Sequence, residues 1–189
     1  MIIVLGGVSH TGKTYLAQRL LEKYKIPYLS LDHLKMGLIR GKVPCEFTLD
    51  DDDMTIANKM WPLVEGIIAT NIENHQNLII EGCYLPPDKV RSIKDNYGSS
   101  VTESYIVFTA EYIQENFEGQ ILRHRNVIEN RVHQENRSIE AFIAEHQNMR
   151  AQCQHNSIKY FDVDSDYNET IQKLLHYIDG QLTAITYTN

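Results

Sequence analysis

The sequence predicts one α/β domain of three layers, in which helices cover both faces of a five-stranded parallel sheet. Five short apolar segments alternate with segments of helical periodicity, as expected for strands joined by right-handed helical crossovers. The first apolar segment runs directly into a glycine-rich motif, Gly7-Val8-Ser9-His10-Thr11-Gly12-Lys13-Thr14. A length of 189 residues fits a single such domain over residues 1–189 and is short for two.

The first two strand–helix units are predicted within residues 1–53. The apolar run at residues 1–5 predicts strand one, and a single apolar stripe predicts a helix at residues 13–24. After Pro27, a second strand is predicted at residues 28–31 and a short helix from Asp32 to about residue 39. The following loop carries Pro44 and ends in four aspartates, residues 50–53, which predict an exposed helix start.

The middle of the chain predicts a long helix, a strand, a shorter helix and another strand. Apolar residues at helical spacing predict a helix over residues 54–74. The apolar run at residues 77–80, which ends in Glu81, predicts strand three. A helix is predicted from residue 87 to about 96, and strand four at residues 101–109.

The last third of the chain begins with a long stretch that has no strand signal. Residues 110–157 are therefore predicted to form several helices, as a helical insert or lid on the domain. Strand five is predicted at residues 159–163. Asp166 followed by Glu169 resembles a capping box for a last helix at residues 167–182, and residues 183–189 are expected to fray.

The motif at residues 7–14 has the G-x-x-x-x-G-K-[ST] spacing of a Walker A phosphate loop (P-loop), placed between a strand and a helix. Glycines let successive N–H groups turn toward phosphate oxygens at a helix N-terminus. Lys13 would contact the β and γ phosphates, and the Thr14 hydroxyl would ligate Mg²⁺. The predicted nucleotide contacts are Gly7, His10, Thr11, Gly12, Lys13, Thr14 and Tyr15, with the His10 side chain expected to point outward. The sequence thus predicts ATP and Mg²⁺ as cofactors.

Acidic residues follow two other predicted strands, at the edge of the sheet where ligands bind. Asp32 follows strand two and could orient and deprotonate an acceptor hydroxyl, or hold the metal through water. Asp32 could instead be a helix N-cap. Glu81 follows strand three and is predicted to help Thr14 position Mg²⁺, directly or through water, or to face the substrate. The alternative is an ordinary exposed glutamate at a strand end.

Positive charge is concentrated between residues 123 and 137 in an otherwise acidic chain. Arg123, Arg125 and Arg131 are predicted to stabilise the charge of the transferring phosphoryl group, because a guanidinium pairs phosphate oxygens bidentately. A lid carrying them could close over the site and exclude water. The alternative is a solvated helix face with pairs such as Arg125 with Glu129.

Composition argues against several classes of protein. A net charge of −7 and a pI near 5.6 argue against a nucleic-acid partner or an anionic membrane surface. Three widely spaced cysteines without a C-x-x-C pair suggest neither disulfides nor a zinc site. No apolar stretch approaches membrane-spanning length. We expect a cytoplasmic protein, either a monomer or a homodimer.

Three segments resemble the P-loop small-molecule kinases, and most of all the group around 2-phosphoglycerate kinase and the zeta-toxin-type kinases. They are Val4-Leu5-Gly6-Gly7-Val8-Ser9-His10-Thr11-Gly12-Lys13-Thr14, Ile26-Pro27-Tyr28-Leu29-Ser30-Leu31-Asp32-His33-Leu34 and Leu78-Ile79-Ile80-Glu81-Gly82-Cys83-Tyr84-Leu85-Pro86. The resemblance implies ATP, Mg²⁺, an aspartate after strand two near the acceptor and a lid arginine on the phosphates. Adenylate-kinase-type enzymes carry Asp-Gly-Phe-Pro-Arg where this chain has residues 81–85, which counts against a nucleoside monophosphate kinase.

These features together predict an ATP-dependent phosphotransferase that moves the γ-phosphoryl group to a small-molecule acceptor. One alternative is a nucleotide or nucleoside kinase. The other is a protein of a different class, an ATP-dependent switch or binding module in which occupancy or slow hydrolysis alone matters. A GTPase is disfavoured because the chain has no N-K-x-D guanine-recognition motif.

Overall fold

Five strands form one fully parallel sheet in a computed structural model that describes residues 1–123 and 137–186. The strands are β1 (Ile2–Gly7), β2 (Tyr28–Ser30), β3 (Leu78–Glu81), β4 (Val101–Phe108) and β5 (Tyr160–Val163). Their spatial order is β2-β3-β1-β4-β5, and every neighbouring pair is parallel. The predicted α/β class with a five-stranded parallel sheet is confirmed.

Seven α-helices lie in the described ranges. They are α1 (Lys13–Tyr24), α2 (Leu31–Arg40), α3 (Asp53–Glu73), α4 (Pro87–Tyr97), α5 (Ala110–Asn116), α6 (Ile139–His155) and α7 (Tyr167–Thr186). A 3₁₀ turn precedes β4, and a π-helical turn, Phe117–Leu122, follows α5. Between residues 110 and 157 the described parts are helices and turns, as predicted. The lid itself stays a prediction, because residues 124–136 lie outside the described ranges. None of the helices in residues 1–123 and 137–186 has the length and apolar character that crossing a membrane requires.

The central strand β1 packs against helices on both faces. Ile3 and Leu5 belong to an apolar cluster that includes residues of α1 and α7. Ile2 and Val4, which alternate with them, belong to a second cluster that includes residues of α3 and α4. Because side chains alternate across a strand, a run that is apolar at every position places apolar side chains on both faces of the sheet. Helices pack on both faces, which gives the domain its three layers.

Two predicted boundaries are wrong by more than one residue. Strand β1 does not end at residue 5, because Gly6 and Gly7 also pair with β4. A Cβ atom on Gly6 would lie 2.2 Å from the Tyr105 ring, so glycine is what allows the strand to continue. Helix α7 continues to Thr186, since no glycine or proline follows Gly180 up to its end and the Thr183 hydroxyl donates to the Asp179 carbonyl at 2.8 Å. The expected fraying is therefore wrong for residues 183–186, while 187–189 lie outside the described ranges.

Aspartates cap two of the long helices. Asp52 precedes α3, and its Oδ1 accepts the N–H groups of Met54 and Thr55, both at 3.0 Å. Asp166 precedes α7, and its Oδ1 accepts the N–H of Asn168 at 2.7 Å and of Glu169 at 3.1 Å. Each cap satisfies donors that a helix start leaves without intrahelical partners. The predicted helix starts within residues 50–53 and at Asp166 are confirmed.

Candidate active site

The strand register brings the predicted site residues to one edge of the sheet. Leu5 of β1 and Ser30 of β2 both lie opposite Glu81 of β3. The segment between β1 and α1 and the first turn of α2 therefore begin beside Glu81. Their proximity follows from the parallel arrangement, in which the carboxyl ends of the strands meet.

The loop between β1 and α1 has the backbone of a phosphate loop. Gly7 and Gly12 have φ angles of +134° and +79°, in the region that favours glycine. A Cβ atom on Gly7 would lie 2.4 Å from the Ile106 carbonyl oxygen. Gly12 is the residue before the first turn of α1, so the loop ends at a helix N-terminus, where N–H groups and the helix dipole favour an anion. The loop is therefore suited to an anionic phosphate group.

Lys13 lies within the loop, with only 6% of its surface exposed. Its Nζ donates to the Val8 carbonyl at 2.7 Å and to the Thr11 hydroxyl at 3.4 Å. The Thr11 hydroxyl in turn donates to the Val8 carbonyl at 2.9 Å. These acceptors are neutral, so a buried ammonium at this position is suited to an anionic ligand.

The hydroxyl of Tyr167, at the start of α7, closes the back of the loop. It donates to the Thr11 carbonyl at 3.1 Å, and burial raises its pKa, so the phenol stays protonated. A Cβ atom on Gly12 would lie 2.0 Å from this hydroxyl oxygen. Tyr167 therefore leaves no room for a side chain at residue 12.

Substitution of Gly12→Ala should distort the loop and weaken ATP binding at least about tenfold. The left-handed conformation alone costs an alanine roughly 1–2 kcal/mol, and the collision with Tyr167 adds to it. Calorimetric titration with Mg·ATP measures the loss. The double variant Gly12→Ala/Tyr167→Phe should recover part of the affinity, since it removes the colliding oxygen. Wild-type affinity in the single variant would contradict this account of the loop.

Thr14 and Glu81 are in contact, as expected of residues that share a metal ion. The Thr14 hydroxyl donates to Glu81 Oε1 at 3.2 Å. Glu81 is 1% exposed, so the alternative of an ordinary exposed glutamate is wrong. Burial raises the pKa of Glu81, and Asp32 adds to this, while Ser30, Lys13 and Thr14 oppose it. One carboxylate and one hydroxyl suit Mg²⁺, which keeps several waters and binds phosphate oxygens.

Within the described ranges, no group of three or more His, Cys, Asp or Glu side chains could hold a metal ion. Thr14 and Glu81, which are in contact, are candidates for positioning Mg²⁺.

Asp32 lies in the first turn of α2 and is not its N-cap. The cap position is Ser30 and the helix begins at Leu31, so the capping alternative is wrong. Asp32 Oδ1 lies 3.5 Å from Nζ of Lys35, which also donates to the Tyr84 hydroxyl. Asp32 is close enough to raise the pKa of Glu81 electrostatically. Lys35 was not predicted, although its i,i+3 spacing from Asp32 could have identified it.

The remaining predicted site residues are the nucleotide contacts Tyr15 and His10 and the three arginines. Tyr15 is 40% exposed, and the Arg19 guanidinium carbon lies 5.8 Å from its ring centre. His10 is half-buried with its ring centre 6.3 Å from that of Phe142, so the expectation that it points outward is wrong. Arg123 is exposed at the end of the π-helical turn. Predicted site residues Arg125 and Arg131, and the pair of Arg125 with Glu129, lie outside the described residues, so the phosphate contact of all three arginines stays a prediction.

Arg137, at the far end of the basic segment, reaches the phosphate loop. Its guanidinium donates to the Ser9 hydroxyl and to the Glu145 carboxylate of α6. It also lies over the Phe142 ring, 5.1 Å from the centre. Arg137 was not among the predicted site residues, because its place in the basic segment carried no signal that distinguished it from its neighbours.

A cleft of about 410 Å³ lies between α3, α6 and the phosphate loop, and we name it the α3–α6 cleft. The loop contributes Gly7, Val8 and Ser9 to its wall. The remaining lining residues are Asp52, Asp53, Met54, Ala57, Cys83, Leu85, Pro86, Pro87, Arg137, Glu145, Asn148, Met149 and Gln152. Its volume is in the range of small-molecule sites. None of the α6 residues in this wall was predicted, since nothing local in the sequence shows that α6 faces α3.

His146 of α6 is buried behind the loop, 1% exposed and stacked on Phe108 with ring centres 5.0 Å apart. Its Nδ1 accepts the Phe108 N–H at 2.9 Å, and within the described ranges its Nε2 has no hydrogen-bond partner. Burial, with the positive charges of Lys13, Arg137 and Arg150, lowers its pKa from 6.5 to about 3. The folded protein thus holds this imidazole neutral at physiological pH.

This buried imidazole should make stability fall on acidification. Between pH 6.5 and about 3 the unfolded chain binds a proton at residue 146 that the folded chain does not bind. The free energy of unfolding therefore falls as the pH drops. Relative to His146→Gln, which keeps an acceptor for the Phe108 N–H, the wild type should lose on the order of 3 kcal/mol more between pH 7 and pH 4. Urea unfolding at both pH values measures the difference. Equal losses in the two proteins would show that His146 is protonated in the folded state.

Solved structures of kinases share the fold. A gluconokinase from Sinorhizobium meliloti aligns with a TM-score of 0.59 at 14% identity, over 99% of this chain and 96% of that one. A shikimate kinase from Aquifex aeolicus aligns with a TM-score of 0.54 at 14% identity, over 97% and 99%. A sugar kinase from Janibacter sp. aligns with a TM-score of 0.53 at 16% identity, over 94% of each chain. At such identities the likeness shows the P-loop kinase fold alone.

Sequence comparison supplies the family. No curated protein sequence matches the chain. The family model for zeta toxin matches residues 1–172, which include the phosphate loop, Asp32, Glu81 and all five strands. The chain therefore belongs to the zeta toxin family.

Proposed function

We propose that the protein is an ATP-dependent phosphotransferase that moves the γ-phosphoryl group of Mg·ATP to a hydroxyl group of a small molecule. One observation carries this proposal. Residues Gly7, Val8 and Ser9 belong both to the phosphate loop and to the wall of the α3–α6 cleft. A molecule in that cleft would lie next to phosphates bound by the loop, as direct transfer requires.

The residues have distinct roles in this proposal. Lys13 and the loop amides would bind the β and γ phosphates, and Thr14 and Glu81 would position Mg²⁺, which neutralises phosphate charge when bound. Asp32 would orient the acceptor hydroxyl and take its proton. Arg137 contacts the loop through Ser9 and joins Arg123, Arg125 and Arg131 as a candidate for stabilising the transferring group.

ADP release from Mg·ATP across a panel of acceptors tests the proposal. The panel contains sugars, amino sugars, polyols, sugar acids, phosphorylated acids, nucleosides and nucleotides, with Lys13→Ala as the control. We expect at least one acceptor to raise turnover tenfold or more in the wild type and not in the variant. Stimulation by nucleosides or nucleotides alone would favour a nucleoside or nucleotide kinase. A flat response with tight ATP binding would contradict phosphotransfer and favour a switch or binding module.

A further inference from the structure

Lys35 lies on α2 one turn after Asp32 and has two polar partners. Its Nζ lies 3.5 Å from Asp32 Oδ1 and donates to the Tyr84 hydroxyl. The Lys35 side chain is 14% exposed, whereas the lysines of the surface pairs at Lys23 and Lys59 are 48% and 44% exposed. Taking an ammonium out of water is costly unless it is paired and hydrogen-bonded. The contacts with Asp32 and Tyr84 meet that requirement.

Tyr84 holds the Lys35 ammonium in place from the loop between β3 and α4. It is 4% exposed and belongs to an apolar cluster that includes Leu31 of α2 and Ile56 of α3. Burial is the main cause of its raised pKa, so the phenol keeps its proton while its oxygen accepts from Lys35. A hydrogen bond with Asp53 is a further cause of the raised pKa, as expected when the phenol donates to that carboxylate. Tyr84 is therefore fixed by packing and by polar contacts.

These contacts connect the start of α2 to the wall of the α3–α6 cleft. Asp53, at the start of α3, lines the cleft, and so do the residues on either side of Tyr84. Asp32 is joined to this wall through Lys35 and Tyr84. A side chain that would otherwise depend on α2 alone is thus connected to the surface against which an acceptor would bind.

The charges around Asp32 show what Lys35 does there. Asp32 is close enough to Glu81 to raise the pKa of that carboxyl group, so the two carboxylates repel each other when both are ionised. Lys13 acts on Glu81 in the opposite sense, and in the proposed reaction its ammonium binds the phosphates of ATP. Lys35 supplies a second positive charge, 3.5 Å from Asp32 Oδ1. Its attraction opposes the repulsion from Glu81 and restrains the Asp32 side chain.

We propose that Lys35, held in place by Tyr84, is a positioning residue that orients the Asp32 carboxylate toward the acceptor hydroxyl during phosphoryl transfer. The proposal rests on the phosphotransferase function proposed above, because Lys35 acts through the base of that reaction. As the acceptor oxygen bonds to the γ-phosphorus and the bond from that phosphorus to the bridging oxygen of ATP breaks, the hydroxyl proton moves to Asp32 and ADP leaves.

Orientation matters because the transfer of the proton depends on distance. A general base takes the proton from a hydroxyl oxygen that lies within about 2.6–3.2 Å of it. The Asp32 side chain is 35% exposed, so without Lys35 it would have room for other rotamers. A displacement of about 1 Å in a reacting group can cost about a hundredfold in rate.

Lys35→Met removes the ammonium and keeps most of the aliphatic stem. With the acceptor that gives the largest stimulation in the panel above, the single-turnover rate of transfer should fall at least about tenfold. The affinity for Mg·ATP, measured by calorimetric titration, should stay within about twofold, because the proposed phosphate contacts are Lys13 and the loop amides. Lys35→Arg keeps a positive charge and should retain at least about three times the rate of Lys35→Met. Lys59→Met, at an exposed lysine of α3 that pairs with Glu46, is the matched control and should leave the rate unchanged.

Two double variants test whether Lys35 acts through Asp32 and is held by Tyr84. In the Asp32→Asn background, Lys35→Met should lower the rate by no more than about twofold, because the carboxylate that Lys35 orients is gone. Tyr84→Phe removes the hydroxyl and keeps the ring, so it should slow transfer in the wild type and add nothing in Lys35→Met. A merely structural role of Lys35 gives the same fractional loss with and without Asp32. Thermal melting confirms that each variant is folded, and Lys35→Gln takes the place of Lys35→Met in these cycles if the methionine variant does not fold.

The outcomes are distinguishable. Slower transfer in Lys35→Met with ATP affinity retained, and without further loss in the Asp32→Asn background, supports the inference. Transfer at the wild-type rate in Lys35→Met, a parallel loss of ATP binding, or an equal fractional loss with and without Asp32 overturns the inference while the phosphotransferase function stands. Wild-type transfer in Asp32→Asn overturns it in the same way, since Asp32 is then not the base. Lys13-dependent ATP hydrolysis with no response to any acceptor overturns the proposed function, and this inference with it.

Discussion

Lys13→Ala is expected to abolish ATP-dependent turnover, with a loss of at least about a hundredfold in kcat/KM for ATP. Lys13 is buried in the phosphate loop, and its Nζ donates to the neutral oxygens of Val8 and Thr11. Its charge is therefore available to stabilise a bound triphosphate. Removing the ammonium leaves the phosphates to the loop amides and the helix N-terminus alone.

The same substitution should leave the chain folded, because the desolvation of a buried ammonium offsets much of what its interactions contribute to stability. Lys13→Met, which keeps most of the aliphatic stem, separates the loss of charge from the loss of packing and should bind ATP as poorly as Lys13→Ala. Lys23→Ala on the same helix is the matched control, since Lys23 forms an exposed pair with Asp179 at 2.6 Å. Calorimetric titration with Mg·ATP and urea unfolding give the two quantities. Wild-type ATP affinity in Lys13→Ala would remove Lys13 from the nucleotide site.

Asp32→Asn is expected to lower the rate of phosphoryl transfer about 10²- to 10⁴-fold while ATP still binds, because an amide cannot accept the proton of the acceptor hydroxyl. The structure supports the site role in two ways. Asp32 is not the helix cap, and it lies where the register of β2 and β3 brings it near Glu81. The Lys35 ammonium lies 3.5 Å from Asp32 Oδ1 and holds the side chain at this edge of the sheet.

One control variant and a separate binding measurement distinguish a catalytic from a structural role of Asp32. Asp88→Asn changes the same residue type in the first turn of another helix, α4, and should leave turnover unchanged. Single-turnover kinetics with a stimulating acceptor measure the transfer step, and ATP titration measures binding. Wild-type transfer in Asp32→Asn would exclude Asp32 as the base. Loss of ATP binding together with transfer would assign it to the nucleotide and metal site.

The fold was largely predictable because its signals are local. Alternation of apolar strands with helical stripes, and a phosphate loop directly after the first strand, depend only on neighbouring residues. The sheet edge that carries Lys13, Thr14, Asp32 and Glu81 followed from one general rule on parallel sheets. Boundaries such as the end of β1 were wrong where tertiary pairing continued a strand, since Gly6 and Gly7 pair with Tyr105 and Ile106 far along the chain.

Contacts between distant segments were not predictable. Arg137 meets Ser9 across 128 positions of sequence, and Tyr167 meets Thr11 across 156. No periodicity or motif encodes such a contact, because it depends on which faces the helices turn toward the sheet. The burial of Glu81 and the place of Asp52 and Asp53 in the wall of the α3–α6 cleft arise in the same way.

The sequence by itself determined the α/β class, the phosphate loop and the set of polar residues that follow the strands. Each of these depends on short-range patterns of glycine, apolar and charged residues. The tertiary structure decided the strand order, the partners of Lys35 and Arg137, and the shape and charge of the α3–α6 cleft. Those properties depend on how segments that are distant in sequence pack together, and packing is a property of the whole chain.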